Sequence, residues 1–206
     1  MNDHAELKIE FSNVAGIDPE CLFRTKINII RNTPASVSFS IICKNPENIS
    51  FTCNGRQISA ASQNTQKTAD FMSARISAEL KPGSNEIEYS HPLFVQKRTA
   101  GSFIFGKSKH IFTAFAELKQ IKSVFENRNF SMSIECTASV NSSLFKNLFL
   151  SPFIIFFGGK NNGEERGVNY VSKTKSKKGA LHSVLNFGID FPDRLSISVG
   201  RKKLFR

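Results

Sequence analysis

Met72-Ser73-Ala74-Arg75-Ile76-Ser77-Ala78-Glu79-Leu80 supports two readings, and the choice between them sets the fold class. Met72, Ile76 and Leu80 stand four apart and would line one face of a helix over 66–80. Met72, Ala74, Ile76, Ala78 and Leu80 also alternate strictly with Ser73, Arg75, Ser77 and Glu79, the period of a strand that buries one face. The alternation is unbroken, so we read a strand. Lys81-Pro82-Gly83-Ser84-Asn85 then turns the chain into a further strand through Ile87 and Tyr89.

The same period runs back to the N-terminus. Leu7, Ile9 and Phe11 alternate with Glu6, Lys8 and Glu10, and Cys21, Phe23, Thr25, Ile27 and Ile29 alternate with Arg24, Lys26 and Asn28. Val37, Phe39, Ile41 and Cys43 continue it. Ile49–Cys53 leads into Asn54-Gly55, a pair suited to a type I′ hairpin because both central residues of that turn need positive φ. Ser59–Asp70 is polar and reads as a loop. About six short strands with turns between them predict an antiparallel β-sandwich over residues 1–95, immunoglobulin-like in architecture but with no family fingerprint.

Beyond residue 95 the texture changes. Ile111, Ala114, Phe115, Leu118, Ile121 and Phe125 form a helical stripe with Ser108 placed to cap it, which predicts one amphipathic helix. Met132–Val140 reads as a strand, as do Leu181–Ile189 and Leu195–Val199 with a Pro192-Asp193 turn between them. The apolar run Leu144–Phe157 predicts a short helix and then, after Pro152, a buried strand. Residues 158–179, Gly/Asn-rich and then Lys-rich, read as a long loop or wide hairpin tip. Residues 96–206 are thus expected to form a basic α+β or β segment, either a separate domain or one built around a core shared with the first. The fold class is mainly β.

The 206 residues are 40% apolar and 22% charged, a globular composition. Twenty Phe stand beside two Tyr and no Trp, an aromatic set suited to packing rather than to a wet interface. Met1–Phe11 lacks the charged and apolar regions of a secretory signal, so the expected compartment is cytoplasmic. Cys21, Cys43, Cys53 and Cys136 show no paired spacing and read as buried thiols. In a processed, oxidised chain a Cys43–Cys53 bridge and sequons at Asn48, Asn129 and Asn141 would count instead. The net charge of +11 is uneven: residues 151–206 hold 11 Lys and Arg against 4 Asp and Glu. Such a bias suits an anionic partner.

Three features could carry chemistry. Gly101-Ser102-Phe103-Ile104-Phe105-Gly106-Lys107-Ser108 satisfies the phosphate-loop pattern, in which Lys107 would reach the β/γ-phosphates and Ser108 would hold Mg²⁺. Against it stand the bulky Phe103, Ile104 and Phe105, the antiparallel texture before it, and the want of a good acidic strand end, Asp190 being the nearest. We read Gly101, Gly106, Lys107 and Ser108 as a nucleotide site only in the alternative case. Residues 144–157 could insert into a membrane surface, but their apolar run reads better as a buried strand. Lys160, Lys173, Lys175, Lys177, Lys178, Arg201, Lys202 and Lys203 form the candidate anion-binding or nucleic-acid-binding set. His4, His91, His110 and His182 are isolated, with no zinc-type spacing, so neither metal nor cofactor is expected.

These readings lead to a non-enzymatic binding or assembly protein, a component of a multi-protein complex with a basic C-terminal face. The expected partner is another protein or a second copy. Nucleic acid bound through 160–178, a membrane surface met through 144–157, and a P-loop enzyme are the alternatives.

Overall fold

The computed structural model describes residues 3–14, 18–43, 46–59, 66–68, 71–100, 109–125, 130–139, 153–161, 168–177, 179–188 and 190–201. The strands in chain order are β1 (Asp3–Ser12), β2 (Glu20–Arg31), β3 (Ala35–Cys43), β4 (Ser50–Cys53), β5 (Arg56–Gln57), β6 (Gln66–Thr68), β7 (Phe71–Leu80), β8 (Gly83–Pro92), β9 (Val95–Ala100), β10 (Lys109–Glu117), β11 (Phe130–Ser139), β12 (Phe153–Lys160), β13 (Val168–Tyr170), β14 (Lys175–Lys177), β15 (Ala180–Phe187) and β16 (Arg194–Arg201). A 3₁₀ turn covers Pro46–Asn48, and α1 covers Lys119–Val124.

The strands form three sheets. Eight hydrogen-bond in the order β14-β15-β11-β1-β2-β8-β4-β5, five in the order β13-β12-β16-β10-β9, and three in the order β3-β7-β6. Pairing is antiparallel except between β1 and β11, which run parallel with Leu7 opposite Ile134. The mainly β, sandwich-type architecture expected from the alternation is present, with that one parallel junction added. It joins the N-terminal strands to the C-terminal ones in a single sheet. A continuous set of buried side chains reaches from Leu7, Phe23 and Phe39 to Ile134, Phe157 and Ile197.

Alternation explains the burial. In β1, Ala5, Leu7, Ile9 and Phe11 are buried while Glu6 and Lys8 face outward. The outer face of the large sheet is laced by cross-strand ion pairs, Glu10 with Arg24 at 3.3 Å and Lys26 with Glu86 and Glu88 at 2.6 and 2.9 Å. Such exposed pairs add little stability each and serve mainly to keep this face solvated. At the hairpin between β4 and β5, Asn54 and Gly55 take φ of 49° and 74°, as the turn requires.

The strand reading of Met72–Leu80 holds: β7 pairs along its length with β3. Three other expectations need correction. The helix over Ile111–Phe125 is instead the inner strand β10, followed by the short α1. Phe112, Ala114 and Ala116 are buried at a period of two, with β16 on one side and β9 on the other. The stripe that mimicked a helix joined two elements, because Leu118 stands at the N-cap of α1 and Ile121 lies within it. That chain reversal is fixed by the Asp193 carbonyl, which accepts the Leu118 and Lys119 amides at 2.7 and 2.9 Å.

Residues 158–179 are not one long loop: Gly158–Lys160 end β12, and the segment also contains β13 and β14. Gly158 and Gly159 sit in the sheet because larger side chains would collide with Ser196 and Tyr170. The polar stretch Ser59–Asp70 likewise contains β6. The strand expected after Pro152 is present as β12, whereas 140–152 and Ser108 lie outside the described residues. Cys21, Cys53 and Cys136 are free buried thiols, so no Cys43–Cys53 bridge forms. Among the described residues no helix is long and apolar enough to cross a membrane.

Candidate functional site: a cleft where three sheets meet

The chain leaves the large sheet after β8 and enters the five-stranded sheet at β9 through Leu93 and Phe94, with the Leu93 amide held by the Cys21 carbonyl at 2.8 Å. Beside this crossing opens a cleft of about 1070 Å³. Its wall from the large sheet carries Cys21, Phe23, Tyr89 and His91; β3 contributes Ser40, Ile41 and Ile42; β9 and β10 contribute Val95, Lys97, Phe115 and Glu117. Asp18, Glu20, Gln120 and Arg194 stand at its rim.

The floor is aromatic and fixed. His91 packs against Phe23 at 5.4 Å between ring centroids and lies nearly parallel to Tyr89 at 6.3 Å. Tyr89 in turn contacts Phe39 and Phe51. Burial pushes the His91 imidazole down to about 4, against a smaller opposing effect of the Pro92 carbonyl, so the ring is neutral at physiological pH. Burial also raises the Tyr89 phenol to about 12 and the Cys21 thiol well above its ordinary value. None of these groups is poised as a nucleophile or base near neutrality.

The mouth is different. Ile42 is 53% exposed and Phe94 42%, two of the five large apolar side chains most exposed among the described residues, and both line this one cleft. One side of the rim is pinned: Arg194 pairs with Glu117 at 2.9 Å and lies 4.4 Å from the Phe115 ring. Asp18 and Glu20 form no ion pair among the described residues. The cleft is thus an apolar trough with charged and amide side chains at its edge.

The basic residues singled out from sequence do not gather here. Lys160 ends β12 opposite Arg194, whereas Arg201 stands opposite Phe153 at the far end of the same strand pair, about 23 Å away at strand rise. Lys173 and Lys175 are exposed, and Lys175 and Lys177 lie on β14, an outer edge of the large sheet. Lysines on such an edge discourage pairing with other chains, which gives this run a structural reason. Lys178, Lys202 and Lys203 lie outside the described residues, as do Gly101, Gly106, Lys107 and Ser108. The cleft itself was missed from sequence. Its one legible signal was Ile42, an apolar residue where the alternation of β3 calls for a polar one.

No protein-family model and no curated protein matches the chain. Among solved structures, the M1 zinc metallopeptidase of Deinococcus radiodurans is similar over 97% of this chain and 42% of its own, at 10% identity and a TM-score of 0.43. Leukotriene A4 hydrolase from Saccharomyces cerevisiae is similar over 97% of this chain and 29% of its own, at 8% identity and 0.47. A Legionella pneumophila protein described as nutrient-binding is similar over 96% of this chain and 67% of its own, at 9% identity and 0.48. The chain thus spans about two fifths of the metallopeptidases' length. Among the described residues no group of three His, Cys, Asp or Glu is arranged to hold a metal. The expectation of a binding or assembly component of a multi-protein complex is corrected by these comparisons: metallopeptidases and a hydrolase stand among the structures similar along nearly the whole of this chain.

Proposed function

We propose that this chain is a peptidase-related β domain whose cleft holds an extended polypeptide for a hydrolytic unit. The cleft carries this reading. The likeness to metallopeptidases speaks to architecture, while Ile42 and Phe94 at the mouth of an aromatic trough supply a place for apolar side chains of a peptide. Asp18 and Glu20 at the rim would attract a lysine, an arginine or a terminal amine, most strongly at low salt. The bond-breaking groups are assigned elsewhere than to this cleft, since its histidine is neutral and its thiol protonated.

The test is a calorimetric titration with a synthetic peptide that alternates valine with threonine and carries one lysine. We expect binding to the unaltered chain and a loss of about tenfold or more in Ile42→Glu, which places a charge in the apolar mouth at a half-exposed position where the fold tolerates it. Equal binding by both proteins would remove the cleft from the account.

A further inference from the structure

We propose that the outer edge of β3 is a strand-addition site: an extended, largely uncharged peptide with one cationic group pairs with the backbone of Ser36, Ser38 and Ile42, its cation reaching Asp18 and Glu20. This rests on the cleft reading above and specifies how the peptide is held.

Among the described residues β3 has a strand partner on one side only, β7. The Ser40 amide donates instead to Oε1 of Gln120, a side chain of α1. Ser40 therefore points its amide off the outer edge. Because amide direction alternates along a strand, Ser36, Ser38 and Ile42 present theirs to the same side. The Gln120 oxygen stands where a carbonyl of an added strand would stand, and it serves one of these four positions.

The composition of β3 sets it apart from the other sheet edges. Ala35-Ser36-Val37-Ser38-Phe39-Ser40-Ile41-Ile42-Cys43 holds no charge and no proline, over a length of about 30 Å. The edge strands β5, β6, β9 and β14 each carry Lys or Arg, and β13 is only three residues long. Basic residues and short length are two common means of blocking edge pairing, and β3 has neither; α1 meets this edge at Ser40 through Gln120. The outward side chains there are serines, small enough for close approach, and then Ile42 at the cleft mouth.

The charges select the occupant. Asp18 and Glu20 call for a cation, and a second copy joined through β3 would bring none on its paired strand, because β3 has none. A peptide carrying one Lys or Arg satisfies both the edge and the rim. Main-chain bonds would give affinity, and alternate side chains would enter the cleft or face solvent.

The experiment titrates the whole chain with the valine–threonine peptide bearing one lysine, and with the same peptide N-methylated at alternate backbone nitrogens, in two versions that cover both registers. Methylation in one register should lower affinity by about tenfold or more and in the other leave it nearly unchanged, because only one set of amides faces β3. Ser38→Pro should lower affinity similarly, since it removes an outward amide while leaving pairing to β7 intact. If both methylated peptides bind as tightly as the parent while Ile42→Glu still loses binding, strand addition is wrong and the cleft reading survives. If the parent peptide does not bind at all, both fail. If the chain instead dimerises in sedimentation and Ser38→Pro abolishes the dimer, the occupant is a second copy and the proposal is overturned.

Discussion

At the residue scale, two buried ionisable groups dominate. Arg31 and Asp3 are 5% and 3% exposed, with guanidinium and carboxylate 4.0 Å apart. Arg31 also donates to the Val124 carbonyl, tying β2 to the end of α1, and Asp3 accepts the Ile30 amide at 2.9 Å. Arg31→Ala would strand the Asp3 carboxylate and should cost about 3–5 kcal/mol in urea unfolding. The double variant Arg31→Met/Asp3→Leu removes both charges and should be less destabilised than the single one. A double variant worse than Arg31→Ala would show that the pair is net stabilising beyond its packing.

His91 makes the stability depend on pH. Its folded value is about 4 against an ordinary 6.5, so above pH 6.5 both states are neutral and the residue adds no pH dependence. Below 6.5 the unfolded chain takes up a proton that the folded chain refuses until pH falls to about 4. Stability is therefore lost across that window, by up to about 3 kcal/mol from this residue. His91→Phe keeps the ring against Phe23 and Tyr89 and should flatten the fall between pH 6.5 and 4. An unchanged slope would assign the acid sensitivity to other groups.

At the element scale, strands were legible wherever one face is buried and the other wet, as in β1, β2, β3 and β7. There burial forces a clean period of two. The period failed at β10, where Phe115, on the face opposite Phe112 and Ala114, is itself packed against Arg194. With apolar residues on both faces, the pattern no longer distinguishes strand from helix. β13 and β14 were hidden for another reason: at three residues each they are too short to show a period, and their partners β12 and β15 define them.

Two glycines separate backbone from packing effects. At Gly55 an added methyl meets nothing within 4 Å, so Gly55→Ala should cost only the left-handed conformation, about 1–2 kcal/mol. At Gly159 a Cβ would stand 2.5 Å from Tyr170 Cε2 and 2.8 Å from Pro192 Cβ. Gly159→Ala should cost about 1–3 kcal/mol by overpacking, and part of that loss should vanish in a Tyr170→Ala background. Denaturation of the four variants checks both accounts. No relief by Tyr170→Ala would point to the Pro192 contact instead.

At the scale of the whole molecule, the site arises from connectivity that a linear reading does not contain. Cys21, Ile42, His91, Phe94 and Gln120 belong to different strands, a crossing and a helix, and share no motif. They meet because the chain passes from one sheet to another between β8 and β9, and β3, after the short turn at 32–34, leaves the large sheet for the three-stranded one. The basic C-terminal run, conspicuous in sequence, is spread over an edge strand and opposite ends of another sheet.

The measurement that bears most directly on the central claim is backbone hydrogen–deuterium exchange of the whole chain with and without the valine–threonine peptide bearing one lysine. Slowed exchange concentrated in Ser36–Ile42 and Phe94–Lys97, with the outer face of the large sheet unchanged, is the expected result. Binding with protection confined to residues elsewhere, such as 168–177, would contradict the assignment of the cleft as the peptide-holding site.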